Sequence, residues 1–366
     1  QRRWNDRSLK DRLHIIRRVR HKIVERSAKL STSVQYPHRN GPAETLAAEI
    51  IPLADACKFL ENEANRVLAP YRERRRSRPI WLRGVTVTLR REPFGVVLII
   101  GASNYPLFLT GVQTLQALTA GNAVVIKPGD GAMDATRCLI ETLGAGGVDP
   151  GLVQSTSEAP GNVAAAVATR RVDKVVLTGS AGTGRQVQST LAESLTPATM
   201  ELSGSDAVFI LPEADLDRVT DCLCFGLRFN NSATCIAPRR VFVPQTLKHH
   251  LEVRLRKRLT CLGSAPPAEY PTQLIGLVQD AINRGATELN EAAGNIDERR
   301  LRPIVLTNAN PEMALLKSDV FAPILSLVPV DSTDQALRFN QLCPFALGAV
   351  VFGPDDEAQR LAERID

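Results

Sequence analysis

Residues 95–127 read GVVLIIGASNYPLFLTGVQTLQALTAGNAVVIK. The run from 96 to 100 is apolar without alternation, which marks a strand covered on both faces, as strands of parallel sheets are. An apolar, helix-like segment follows over 107–119, and then the strand NAVVIK. Strand, helix and strand in that order predict a crossover, and hence an α/β parallel sheet. The alternation continues with a helix over 131–143, a strand near Leu152, a helix over 162–168 and the strand KVVLTG. Each strand feeds a loop at its C-terminal end, where open α/β sheets bind ligands. The polar strings GASN, KPGD and TGSAGTG fall in those loops.

Upstream, residues 1–78 are helical in pattern. Leu13, Ile16, Val19 (or Arg20) and Ile23 recur at helical spacing, and apolar spacing returns over 44–68 after the turn-like YPHRNGP. From Ile80 the period becomes two, with Val85, Val87 and Leu89 predicting a half-exposed strand over 80–91. Downstream, the character shifts near 204 and a second αβ series begins. It comprises the strand VFILP, the helix DLDRVTDCLCFGLRFN, a loop containing Cys235, the strand RRVFV and a basic helix over 245–259. Residues 261–300 are weakly patterned, and RPIVL and ILSLVPV follow. We therefore expect two domains: residues 1–204, a helical layer plus a dinucleotide-binding sheet, and residues 205–366, a catalytic αβ domain.

Apolar residues make up 44% of the chain and charged residues 23%, an ordinary globular balance, and no apolar run reaches the roughly 18 residues needed to cross a bilayer. No membrane partner is expected. The net charge of +6 is concentrated near the N-terminus and in YRERRRSR. No aromatic platform or nucleic-acid motif accompanies these clusters, so they read as solvated helix faces and no nucleic-acid partner is expected. Seven cysteines, at 57, 138, 222, 224, 235, 261 and 343, are odd in number and contain no CxxC pair. That argues against a disulfide framework or structural zinc and for a reducing, cytoplasmic location. Cys222 and Cys224 read as helix packing. The five histidines lie outside the motif strings, and no metal site is expected.

The strings GASNYPL, VIKPGD, LTGSAGTG, MELSGSD, NNSATCIAP and SDVFAP occur in the order and at roughly the spacing of the aldehyde dehydrogenase superfamily, which the chain resembles over most of its length. The resemblance implies a Rossmann-like cofactor domain and a second, cysteine-bearing domain. TGSAGTG is not a G-x-G-x-x-G turn; it is similar to the family's Gly-Ser-x-x-x-Gly, with Gly179, Ser180 and Gly184, and implies that Ser180 contacts a pyrophosphate. Lys127 takes the family's place at the adenosine ribose and Asp130 that of the carboxylate on the ribose hydroxyls. A carboxylate there repels a 2′-phosphate, which favours NAD and leaves NADP possible.

By the same resemblance Cys235 attacks an aldehyde, and the Asn104 side chain and the Cys235 N–H hold the oxyanion. Glu201 activates water against the thioester; burial in an apolar strand end would raise its pKa. Asp319 and Phe321 match the family's nicotinamide-ribose acid and supporting ring. The chain departs from the pattern at Asp319 (usually Glu), Ser203, Ser232-Ala233 and Ser103. It also ends before the family's last catalytic strand, glycine-rich loop and tail strand, so the C-terminal part reads as missing or shortened. A homo-oligomer, dimer or tetramer, is expected of the complete natural chain. The alternatives are a CoA-acylating relative, against which Glu201 speaks, and a nucleotide-binding or structural protein of reduced catalytic competence.

Overall fold

A computed structural model describes residues 1–74, 78–260, 269, 271–289 and 302–365. The chain divides into two compact units, residues 1–36 with 41–202, and residues 37–40 with 203–366. A single cut in the sequence does not express this, because Pro37–Asn40 belongs with the second unit.

The first unit carries β1 (Tyr71–Arg72), β2 (Thr88–Leu89), β3 (Val96–Ile100), β4 (Ala123–Lys127), β5 (Val153–Ser155), β6 (Lys174–Gly179) and β7 (Ala198–Leu202). The last five form one parallel sheet in the order β5-β4-β3-β6-β7. Side chains alternate across it, as the pleat requires. Val97, Ile99, Val124 and Ile126 join the core made with the N-terminal helices. Leu98, Ile100, Val175 and Leu177 join that made with helices Gly161–Ala168 and Ala181–Ala192. Complete burial of such a side chain contributes about 2 kcal/mol.

In helix Leu9–Glu25, Ser8 caps the N-terminus by accepting from the Asp11 N–H, and Leu13, Ile16, Val19 and Ile23 are buried. Val19 rather than Arg20 faces inward; Arg20 pairs with Glu61 at 2.7 Å. The strand expected over 80–91 is not formed as such. Ile80–Leu82 is a 3₁₀ turn, and among the described residues only Thr88–Leu89 pairs, antiparallel, with Tyr71–Arg72. Val85 and Leu89 are exposed, so the alternation has no core against which to set a register.

The second unit holds β8 (Asp206–Ile210), β9 (Pro238–Pro244), β10 (Thr287–Glu288), β11 (Ile304–Thr307), β12 (Ile324–Val330) and β13 (Ala349–Phe352). Their order is β10-β11-β12-β9-β8-β13, with β10 alone antiparallel. Phe209 and Phe242, on neighbouring strands, pack with ring centroids 5.1 Å apart. Helix Leu216–Arg228 starts at Asp215, whose carboxylate accepts from the Asp217 and Arg218 N–H groups. Within it Cys224 is buried but Cys222 is exposed, so only one of the pair packs. Part of the weakly patterned 261–300 stretch lies outside the described residues. The rest contains helix Thr272–Asn283, seated through Leu274, Val278 and Ala281, a 3.6-residue spacing that the sequence reading passed over.

Candidate functional site

In the first unit the winding reverses at β3/β6: β4 and β5 lie on one side of β3, β6 and β7 on the other. That is the switch point at which open sheets bind ligands. The loop leaving β3 carries Asn104, which is buried. The loop leaving β4 lies directly against it. The Gly101 N–H donates to the Lys127 carbonyl at 2.9 Å, and a Cβ on Gly129 would stand 2.6 Å from the Ala102 carbonyl carbon and the Ser103 nitrogen. Only glycine permits this approach, a role the sequence reading did not assign. Glu49, fully buried in the π-helical turn Leu46–Ile50, accepts from the Leu107 and Phe108 N–H groups at 2.7 and 3.1 Å. It thereby anchors the start of helix Phe108–Thr119 and the end of the Asn104 loop. No local motif marks a carboxylate so far upstream.

Lys127 is buried along its stem, its ammonium 3.9 Å from the carboxylate of exposed Asp130. A pair so long and so wet contributes little. Glu158 accepts from the Gly131 and Met133 N–H groups at 3.0 and 2.8 Å and so holds the turn after Asp130. At the end of β6, Ser180 caps helix Ala181–Ala192, accepting from the Thr183 N–H at 3.1 Å. Gly184 is buried, and a Cβ there would lie 3.0 Å from Leu202 Cδ2, so this glycine lets the helix lie on β7. Glu201 is in register with Thr178 and thus neighbours the Gly179–Ser180 turn. It is exposed, the one of the two readings open to the sequence in which burial does not act on its carboxyl. The reason is that β7 is an edge strand whose side chains alternate between half-buried and exposed.

In the second unit Cys235 follows an unusual backbone. Asn230, Asn231 and Ser232 have φ of 51°, 45° and 58°. Asparagine tolerates the left-handed region better than most residues, but each such residue is a cost that surroundings must offset. All three are buried. Asn230 Nδ2 donates to the Ala233 carbonyl at 2.9 Å, and Asn231 Nδ2 to the His38 carbonyl at 2.6 Å. Arg239, also buried, donates through Nη1 to Ser232 Oγ at 2.8 Å and the Ala322 carbonyl at 2.5 Å, and through Nη2 to the Ser232 and Thr234 carbonyls. The cysteine loop and the 319–323 segment are thereby tied together. The Asn-Asn pair was a legible signal for the turn; nothing in the sequence distinguished Arg239 from Arg240.

Cys235 is half-buried, whereas burial pushes the Cys57 thiol up to about 12 and the Cys224 thiol up to about 11. Deep thiols of that kind are inert. Asp319 Oδ2 accepts from Ser203 Oγ, while its Oδ1 is buried and makes no hydrogen bond. Phe321 is half-buried beside it in sequence. No cluster of three metal-ligating side chains occurs among the described residues.

Behind the loop, burial raises the Asp206 carboxyl to about 6, against the opposing pull of its bond from the Gly348 N–H and of the Arg239 and Arg240 charges. Because the folded value is raised, this group's stabilisation is present below about pH 4 and is lost as the pH rises through about 6. The loss is about 3 kcal/mol. Asp206→Asn should therefore match the parent in urea unfolding near pH 4 and exceed it by roughly that amount near pH 8. A stability difference that does not change with pH would refute the assignment.

The sequence profile of the aldehyde dehydrogenase family matches residues 1–366. A 4,4'-diapolycopene aldehyde oxidase from a Methylomonas species is 27% identical over 99% of this chain and 70% of its own length. Betaine aldehyde dehydrogenase 2 of Rhizobium meliloti (strain 1021) is 32% identical over 76% of this chain and 61% of its own length. The chain thus spans between about three-fifths and seven-tenths of these two relatives. In fold, it superposes on the Mycobacterium tuberculosis aldehyde dehydrogenase complexed with NAD+ with a TM-score of 0.88, at 22% identity, covering 99% of this chain and 77% of that one.

Proposed function

This chain belongs to the aldehyde dehydrogenase family, and from that premise we propose that it oxidises an aldehyde to a carboxylic acid with NAD, through a thioester on Cys235. The observation that carries the reading is the left-handed turn 230–232, a strained and buried support whose product is the presentation of one half-buried cysteine.

The residues fit a dinucleotide. Ser180 and the open N-terminus of a 12-residue helix offer N–H groups to a pyrophosphate at the switch point. Lys127 and Asp130 stand at the end of β4 for the adenosine ribose, and the unpaired Asp319 Oδ1 is an acceptor suited to a ribose hydroxyl. Phe321 would support the ring. The exposed Asp130 carboxylate favours a free 2′-hydroxyl over a 2′-phosphate, hence NAD over NADP. When bound, the nicotinamide supplies the acceptor for the hydride that leaves the substrate carbon.

The chain's own residues do the rest. The Cys235 thiolate adds to the carbonyl carbon, and the C=O π pair moves to oxygen, where Asn104 Nδ2 and the Cys235 N–H hold the charge; each such donor contributes about 3 kcal/mol to the transition state. Loss of hydride restores the carbonyl as a thioester. Glu201 then takes a proton from water, whose oxygen adds to the thioester carbon, and the C–S bond breaks to return the thiolate and release the acid. Cys57, Cys138, Cys222, Cys224 and Cys343 form no disulfide, which supports a reducing, cytoplasmic setting. Among the described residues no helix is long and apolar enough to cross a membrane. Exposed Ile80 and Trp81 support association into a homo-oligomer.

The test is reduction of NAD and of NADP by the purified chain with aliphatic, aromatic and semialdehyde substrates, with and without coenzyme A. We expect acid release without coenzyme A, and a kcat/KM for NAD at least about tenfold above that for NADP, the factor that roughly 1.4 kcal/mol of charge repulsion supplies. Turnover only with coenzyme A would establish the acylating alternative. Nucleotide binding without turnover would leave a binding module.

A further inference from the structure

We propose that Arg239 is a positioning residue that aims the Thr234–Cys235 peptide, and that the effect of losing it appears in catalysis rather than in binding. The proposal rests on the reading of Cys235 as the nucleophile and of its N–H as an oxyanion donor.

Arg239 is the second residue of β9 and sits at the bulge where the register against β8 steps from Asp206↔Pro238 to Ala207↔Arg240, a feature that re-aims a side chain. Its guanidinium reaches back over the loop and donates to Ser232 Oγ, the Ser232 carbonyl, the Thr234 carbonyl at 3.4 Å and the Ala322 carbonyl. Two consequences follow from that geometry. First, the bonds to Ser232 fall on the last residue of the left-handed turn, where the backbone needs an external partner to stay in place. Ala322, two residues before the start of β12, supplies the fixed point on the other side. Second, the Thr234 carbonyl and the Cys235 N–H are the two ends of one planar peptide unit. A cation on the carbonyl fixes the plane and polarises the bond, which makes the N–H both better aimed and a stronger donor toward an oxyanion.

A planar fork with several fixed donors suits acceptors spread around it, and an ammonium does not. Arg239→Lys keeps the charge and loses the fork. The experiment compares Arg239→Lys, Arg239→Met and Ser232→Ala with the parent and with Cys235→Ala. It reads kcat, KM for aldehyde and NAD, the NAD dissociation constant, the melting temperature, and the rate of Cys235 alkylation by iodoacetamide followed by peptide mass spectrometry. Alkylation develops no oxyanion. The expected result for Arg239→Lys is a fall in kcat of about 10- to 100-fold, the scale for a misaligned donor, with NAD affinity and alkylation rate within about twofold of the parent. Ser232→Ala, which removes the bond to Ser232 Oγ, should lower kcat by several-fold in the same pattern.

If kcat and alkylation fall together, in proportion to lost melting temperature, Arg239 is a structural residue only and the proposal fails. Unchanged kcat in a folded Arg239→Lys also overturns it. Should both Arg239 variants unfold, Ser232→Ala decides, since unchanged turnover there removes the claim. Full turnover by Cys235→Ala would instead show that the nucleophile reading itself is wrong, and the proposal would fall with it.

Discussion

Cys235→Ala is expected to bind NAD as the parent does and to lower kcat by about 10⁴-fold or more, the scale of losing a covalent nucleophile. The bonds that hold the loop run through the side chains of Asn230, Asn231 and Arg239 and the hydroxyl of Ser232, and all of these remain. Among the other described thiols, Cys222 is exposed and Cys343 half-buried, but neither follows a left-handed turn like that of 230–232. Cys57 and Cys224 are buried with their thiols pushed far up, Cys138 is buried in the core of the first unit, and Cys222 lies exposed on a helix surface. Residual turnover above roughly a hundredth of the parent, in protein shown by mass to lack the sulfur, would assign the chemistry elsewhere. The measurement is reduced nicotinamide formed per active site, beside an NAD titration by fluorescence. Loss of both signals together would mean damage to the fold rather than to the reaction.

Much of this site was legible because its parts are local. VVLII and AVVIK are buried on both faces and could be read from apolarity alone. The Gly-Ser turn after β6 announced itself by composition, and the structure places Ser180 as a cap with its own hydrogen bond. What escaped was built from distance. Glu49 acts on the Asn104 loop from far upstream, Glu158 holds the Asp130 turn from the next strand's loop, and Arg239 serves Ser232 and Ala322 through a guanidinium that any arginine carries. None has a spacing that could betray it. The error at 80–91 has the opposite origin: the period-two pattern was real, but a strand needs a partner as well as a pattern. For Glu201 the sequence leaves a buried and an exposed strand end equally open, because apolar neighbours in sequence need not be apolar surroundings in space, and on an edge strand they are not.

The open position of Glu201 makes Glu201→Gln the more informative catalytic variant. The substitution keeps shape and removes only the capacity to accept a proton. On an exposed edge-strand site it should change stability by no more than about 0.5 kcal/mol. Hydride transfer precedes the step that needs a base, so the variant should form about one equivalent of reduced nicotinamide per active site at close to the parent rate. It should then continue about 10²- to 10⁴-fold more slowly, as befits loss of a general base. Stopped-flow with excess aldehyde resolves the two phases. A slow rate with no burst would place the loss at or before hydride transfer and remove Glu201 from deacylation. One addition separates the remaining cases. A small thiol such as mercaptoethanol attacks a thioester without activated water, because a thiol with pKa near 9 is partly ionised at neutral pH. If Glu201→Gln stalls as the thioester, the thiol should restore steady turnover in proportion to its concentration and carry away the acyl group as its own thioester. If product release were what slowed, the thiol would change nothing.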